Sequence, residues 1–284
     1  MKSKTCIITG ATSGIGYGIA KGLASRDFEL ILIGRDAKKG QAAVEGLIKH
    51  TGNLAITYYN LDLSSQKQIR ERGAEIKSNH PQIDVLINNA GVWTSRCELT
   101  DDKIEKQFAV NHLAYFLLTH LLYANISKSQ DGRIINMGSD SHKYGRINFE
   151  DLNLERSYHG LKAYGQSKLA NLLFTYELQR LKKEDHVSVY CVQPGLVKTD
   201  IGIKNTNPFH GFMWKLRRLG GLTPDQAAET AIYLATAAEV AGRSGLYWDR
   251  CKPKTSSARS KSTEDAARLW KESEQLCKIR DFFS

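Results

Sequence analysis

Six short apolar runs, Cys6–Thr9, Glu29–Ile33, Ala55–Asn60, Val85–Ile87, Arg133–Met137 and Val187–Val192, alternate with longer stretches in which apolar residues recur at helical spacing. Leu169, Leu172, Leu173 and Tyr176 show that spacing most clearly. Strands separated by helices of this length form right-handed βαβ units, and therefore a doubly wound parallel sheet with helices on both faces. A seventh run, Gly245–Trp248, predicts an edge strand, giving an α/β fold of about seven strands. Composition does not break before about Cys251, and the basic, Ser-rich stretch that follows recovers a helical pattern at Ala266, Leu269, Trp270 and Leu276. One domain spanning 1–284 is expected, with a helical tail over about 252–284.

Several function classes fall away. The longest apolar stretch, Leu113–Ile126, is interrupted by Thr119 and His120 and is too short to span a bilayer. Met1-Lys2-Ser3-Lys4 runs straight into the first strand without a signal-peptide core. Cys6, Cys97, Cys191, Cys251 and Cys277 have no C-x-x-C spacing, so neither a disulfide framework nor a zinc cluster is expected. His112, His120 and His142 lack metal-ligand spacing and read as packing or surface residues. The net charge of +10 is dispersed and accompanies no nucleic-acid motif. The expectation is a cytoplasmic protein without a metal or a nucleic-acid partner.

The first strand ends in Thr9-Gly10-Ala11-Thr12-Ser13-Gly14-Ile15-Gly16, and a helix pattern begins at once. Glycines there let the backbone turn sharply and approach a pyrophosphate, which the N–H groups of the following helix can bind. A ligand-free turn would look similar, but the strand-to-helix context favours a dinucleotide. The second strand ends Leu32-Ile33-Gly34-Arg35-Asp36. If it stops at Ile33, glycine takes the position of the ribose-binding acid, and the planar fork of Arg35 is free for a 2′-phosphate, which favours NADP(H). Alternatively Asp36 holds the ribose and Arg35 is a surface charge. Asp62, before Leu63, contacts the adenine or caps a helix starting near Ser64.

A Tyr-x-x-x-Lys pair places phenol and ammonium one helical turn apart, where the cation can lower the tyrosine's pKa and make it a general acid or base. The pattern occurs at Tyr17/Lys21, Tyr158/Lys162 and Tyr164/Lys168. The first lies on the helix after the glycine loop and reads as structural. The second encloses Gly160 and reads as a loop, so Tyr164/Lys168, opening a long amphipathic helix, is favoured.

Together with the glycine loop, Asn88-Asn89-Ala90-Gly91, Tyr164-Gly165-Gln166-Ser167-Lys168 and Pro194-Gly195 resemble the short-chain dehydrogenase/reductase family over roughly residues 4–250. Val110-Asn111-His112-Leu113, Ser167-Lys168-Leu169-Ala170-Asn171, Gln193-Pro194-Gly195-Leu196-Val197 and Arg268-Leu269-Trp270 are similar to its retinol dehydrogenase branch. The resemblance implies a Rossmann-type domain that binds NADP(H) and transfers hydride between an apolar alcohol and its aldehyde or ketone. Tyr164 would exchange the proton, Lys168 would lower its pKa and hold the nicotinamide ribose, and Ser139 would bind the reacting oxygen. Gly138 replaces the first of two serines usual in that branch, leaving Ser141 as a weaker candidate. Asn111 would support a water relay through Lys168, or else caps or kinks a buried helix. The cofactor-binding set implied is Gly10, Thr12, Ser13, Gly14, Ile15, Gly16, Arg35, Asp62, Leu63, Asn88, Ala90, Gly91, Tyr164, Lys168, Pro194, Gly195, Val197 and Thr199, the last of which could instead cap a helix.

In the family the segment after Pro194-Gly195 covers the substrate. Here 200–223 interleaves Lys204, Lys215, Arg217 and Arg218 with Phe209, Phe212, Met213, Trp214, Leu216 and Leu219. Such a lid suits a greasy substrate and could rest on an anionic membrane surface, or pack on the domain with a solvated charged face. No membrane anchor precedes the first strand, which sets the chain apart from many retinol dehydrogenases. Family members often dimerise through the helices expected at about 101–126 and 163–183, where Phe116, Leu117 and Leu121 would permit a homodimer. The rival reading is a non-catalytic NADP(H)-sensing binding protein on the same fold.

Overall fold

The computed structural model describes residues 3–184, 186–197 and 221–284. Eight strands form one sheet in the order β3-β2-β1-β4-β5-β6-β7-β8. They are β1 (Thr5–Thr9), β2 (Glu29–Gly34), β3 (Ile56–Asn60), β4 (Val85–Asn88), β5 (Gly132–Met137), β6 (Val187–Gln193), β7 (Leu246–Asp249) and β8 (Lys252–Pro253). All pair in parallel except β8, which turns back antiparallel on β7. The seven expected strands are present, and the eighth is the addition. It depends on Arg250 and Cys251, both at positive φ (50° and 59°), a turn made without glycine.

Successive strand residues point to opposite faces, and both faces are covered. Cys6, Ile8, Leu30, Leu32, Val85 and Ile87 pack against α1 (Gly14–Ala24), α2 (Ala37–Thr51) and α7 (Pro224–Thr236). Ile7, Ile31, Ile33, Leu86 and Ile134 face α3 (Gln66–Asn79), α5 (Ala114–Ile126), α6 (Gly160–Leu181) and the C-terminal α8 (Thr263–Leu276). A short α4 (Lys106–Phe108) runs into α5 through a π-helical turn, Ala109–Leu113. Among the described residues no helix is long and apolar enough to cross a membrane.

The order of strands reverses between β1 and β4, so the loops after these strands diverge and open a crevice at the carboxyl edge of the sheet. The C-terminal tail alters the expectation for the α5/α6 surface. Phe116 and Leu117 are buried within the chain, with Phe116 under Trp270 (ring centroids 5.1 Å) and Phe282 (4.8 Å). Leu121 is half-buried over Gly73 of α3. These three side chains, which would permit a homodimer, have packing partners inside the chain.

Candidate active site

Gly10 and Gly16 bring the loop after β1 into contact with the loop after β4. Gly10 has φ +66°, and a Cβ there would lie 2.8 Å from Ala90 Cα. A Cβ on Gly16 would lie 2.3 Å from Gly10 O and 2.5 Å from Asn89 Nδ2. Thr9 and Asn89 brace this junction. Thr9 Oγ1 accepts from the N–H groups of Asn89 (2.8 Å) and Ala90 (2.9 Å), and Asn89 Nδ2 donates to Thr9 O (2.8 Å). Neither residue is among the site residues expected from the sequence, although Thr9 precedes Gly10 and Asn89 lies between Asn88 and Ala90. Ser13, the N-cap of α1, makes no side-chain cap, so that side chain leaves the first helical N–H groups without an acceptor. Thr12, Gly14, Ile15 and Gly91 are half-buried around the same mouth and Ser13 is exposed. A dinucleotide fits these features: a backbone cradle too tight for side chains, at the switch point of the sheet.

At the end of β2 a side chain at position 34 would be crowded. A Cβ on Gly34 would come within 3.0 Å of Thr12 Cγ2 and 3.1 Å of Tyr58 Oη. Arg35 is exposed, whereas Asp36 caps α2 through Lys39 N (3.0 Å) and pairs with Lys39 Nζ at 3.5 Å. Asp62 accepts from the Ser64 amide and hydroxyl (2.9 and 2.8 Å), while Ser65 caps α3, so the expected helix cap lies three residues further on. Leu63 is buried in the core. The side chain of Asn88 is also fully buried, donating to Thr119 Oγ1 (3.1 Å) and Asn136 Oδ1 (2.9 Å), so its amide is structural. Tyr115 Oη donates to Ala90 O at 2.7 Å.

The structure separates the three tyrosine–lysine pairs. Tyr17 packs on Gly46 of α2, and Lys21 pairs with Asp225 at 3.2 Å. The Tyr158 hydroxyl is consumed by Thr94 (2.8 Å), Gln107 (2.9 Å) and the buried Glu105 carboxylate (3.0 Å). α6 starts at Gly160, so Lys162 is helical rather than in a loop. Tyr164 and Lys168 lie one turn apart on α6, with Lys168 Nζ 5.6 Å from the Tyr164 ring centroid. Lys168 Nζ donates to Met137 O at 2.9 Å, anchoring α6 to the end of β5.

Ser139 follows β5 and stands beside Tyr164, its hydrogen bond counteracting part of the effect of burial on the phenol. Burial nevertheless pushes Tyr164 up to about 12 and Lys168 down to about 8. Lys168 is not among the groups that shift the phenol, and its ammonium is turned to Met137 O. Ser139 Oγ accepts from Ser141 N (3.1 Å) and donates to Ser141 Oγ (3.2 Å). Asn111 lies in the π-helical turn, its amide exchanging two bonds with the backbone of Val92 (2.7 and 3.0 Å) and donating to Ser167 Oγ (3.0 Å).

The long interval between Ser139 and Tyr164 is secured by Gln166, which accepts from Asn148 N (2.9 Å) and donates to Leu152 O (2.8 Å). After β6, Pro194, Gly195 and Val197 are half-buried, and Val197 bridges to Leu222. Thr199 and most of the expected lid lie outside the described residues.

A dinucleotide cradle at a sheet switch point, with a buried lysine and a half-buried tyrosine and serine at its mouth, defines an α/β oxidoreductase with a nicotinamide cofactor. Residues 4–208 match the short chain dehydrogenase family, and the chain belongs to it, within the retinol dehydrogenase-like branch. It is 42% identical to human (Homo sapiens) retinol dehydrogenase 13 over 280 residues, covering 96% of this chain and 84% of that protein. It is 37% identical to human retinol dehydrogenase 11, with 95% and 84% covered. An uncharacterized protein from Mycobacterium Paratuberculosis has a crystal structure that superposes with a TM-score of 0.78 at 33% identity, covering 97% of this chain and 94% of that one. A short chain dehydrogenase from Escherichia coli CFT073, complexed with NADPH, shares the fold (TM-score 0.69, 22% identity, 89% and 98% covered).

Proposed function

We propose that this chain is an NADP(H)-dependent oxidoreductase that interconverts an apolar alcohol and its aldehyde or ketone, with Tyr164 as the proton-exchanging group. The observation carrying this reading is the half-buried Tyr164 beside Ser139, with the buried Lys168 one turn away on the same helix. The cofactor, when bound, supplies or accepts the hydride. Tyr164, held near 12, keeps its proton at neutral pH and is set to donate it to a carbonyl oxygen, which favours the reducing direction. The Ser139 hydroxyl, which donates to Ser141 Oγ, can redirect its proton to the same oxygen. As the phenol loses its proton, the Lys168 ammonium stabilises the negative charge left behind, and its remaining N–H groups can hold ribose hydroxyls.

The glycine at position 34, which carries no ribose-binding acid, and the exposed Arg35 support a 2′-phosphorylated cofactor, as does NADPH in the Escherichia coli relative. The names of the retinol dehydrogenases support an apolar alcohol or carbonyl substrate. Exposed Leu161 at the start of α6 and Leu196 after Gly195 fit that chemistry.

Conversion of Tyr164 to Phe should leave NADPH affinity nearly unchanged and reduce turnover of an aldehyde and ketone panel by about 10²-fold or more. Near-wild-type turnover in that variant would overturn the assignment. A wild-type protein that binds NADPH but turns over nothing in the panel would be a cofactor sensor instead.

A further inference from the structure

Ser139 opens a short 3-10 turn, Asp140–Lys143, and the turn is gripped from outside by a segment more than a hundred residues away in sequence. His142 Nδ1 lies 2.6 Å from Ser139 O, and His142 Nε2 lies 3.1 Å from Ser257 N. A carbonyl oxygen only accepts and an amide N–H only donates. The imidazole therefore carries its proton on Nδ1 and presents a bare Nε2 to Ser257. The ring is fully buried and meets the Tyr247 ring edge-on at 5.2 Å. The next residue in the turn is clamped too. Asp140 accepts from Lys254 Nζ (3.0 Å), Lys143 Nζ (3.1 Å) and Tyr247 Oη (3.1 Å), and its amide donates to Gln193 Oε1 (2.9 Å). Arg259 reaches Gly145 O, just past the turn, at 3.3 Å.

We infer that His142 is a positioning residue for Ser139, locking its backbone in a single tautomer and coupling it to a strap formed by residues 252–259. The inference rests on the proposed role of Ser139 in proton exchange. Protonation of His142 would place an N–H on Nε2 facing the N–H of Ser257, two donors 3.1 Å apart, so turn and strap would separate. Burial opposes that protonation most, joined by Lys143 and Lys254, whereas the Ser139 carbonyl and Asp140 favour it, and the Tyr247 ring packs edge-on against the imidazole. The burial effect keeps the ring neutral until the pH falls below the usual histidine range, so the coupling is an acid-side switch on the catalytic serine.

The test combines a spectroscopic and a kinetic reading on the full chain. Side-chain ¹⁵N shifts, assigned by the signal missing from His142→Asn, should show His142 protonated on Nδ1 and bare on Nε2 at neutral pH. A ring protonated on Nε2 overturns the inference. With NADPH and decanal or retinal, His142→Ala should lower kcat roughly ten- to hundredfold with NADPH affinity unchanged. His142→Asn, which keeps a donor near Ser139 O, should recover much of that loss and should lack the acid limb of the wild-type kcat profile. Wild-type kcat in His142→Ala while Tyr164→Phe is inactive overturns the positioning role alone. An active Tyr164→Phe would fault the functional reading, leaving the tautomer measurement to judge the contact. If His142→Ala loses NADPH binding, Lys254→Met loosens the same strap without emptying the ring's place. Reduced kcat there supports the inference, and unchanged kcat overturns it.

Discussion

The two edges of the sheet are built from the same strands and treat polar groups in opposite ways. At the amino edge, Asp84 accepts from Thr5 N (2.8 Å), Ser129 Oγ (2.6 Å) and Gln82 Nε2 (3.1 Å). Arg133, 1% exposed, forks onto Asp131 (3.0 and 2.7 Å) and donates to Leu234 O (2.7 Å). Both buried charges there have hydrogen-bond partners. At the carboxyl edge, Lys168 is as deeply buried, yet its three N–H groups meet one acceptor among the described residues, Met137 O. Tyr164 is half-buried with no ion pair among the described residues, and the α1 N-terminus lacks a side-chain cap. Burying polar groups with capacity to spare costs stability, and it leaves donors ready for a ligand. One edge is closed for folding, and the other is kept open for chemistry.

The contrast breaks most visibly if a partner is removed from the closed edge. Arg133→Met should destabilise the protein by about 2–3 kcal/mol, because Leu234 O loses its donor and Asp131 its fork. Turnover per folded molecule should not change. Burial raises the Asp131 carboxyl, but the hydrogen bonds and charges of Arg133 and Lys4 outweigh it and hold the group below its ordinary value. A carboxylate with a depressed folded pKa contributes stability above its unfolded value of about 3.9, and that stability is lost as pH falls through the folded value. The acid limb of the unfolding curve should therefore be shallower in Arg133→Met. Chemical denaturation at several pH values checks both statements, and a change in kcat would show that the edges are not independent.

A change at the open edge should have the converse signature. Arg35→Ala should weaken NADPH binding roughly 10–100-fold by removing charged hydrogen bonds to phosphate. NADH affinity and melting temperature should stay put, since the side chain is exposed. Paired titrations following nicotinamide fluorescence decide this, and equal losses for both cofactors would move the ribose contact away from Arg35.

Much of the open edge was legible because its requirements are local. A glycine loop between strand and helix, and a tyrosine one turn from a lysine, are patterns within a few residues. The first six strands were legible for a similar reason, as fully buried parallel strands read as apolar runs. Strand β8 was not, because its turn uses Arg250 and Cys251 at positive φ, where sequence gives no glycine or asparagine signal. Nor was the support of Ser139, since His142 meets Ser257, and Asp140 meets Lys254, only after the chain has completed the sheet. The sign of the Tyr164 shift was missed because spacing reveals the neighbouring charge but not the depth of burial.

The smallest effect concerns a departure that the sequence displays without explaining. Gly138 stands where the retinol dehydrogenase-like pattern has a serine, and the structure supplies the reason. A Cβ at 138 would sit 2.7 Å from Cys191 Sγ and 3.3 Å from both Leu172 Cδ1 and Tyr247 Cε2. The cysteine thus occupies the volume that the serine would need. Gly138→Ser alone should cost about 1–3 kcal/mol through overpacking. Combined with Cys191→Ala, which vacates the sulfur's place, most of that cost should return, with a coupling of about 1 kcal/mol in the double-mutant cycle. Because position 138 adjoins Ser139, the single variant should lower kcat as well, and the double variant should restore it along with the melting temperature. Additive effects across the cycle would mean that Leu172 or Tyr247, rather than Cys191, sets the limit at this position.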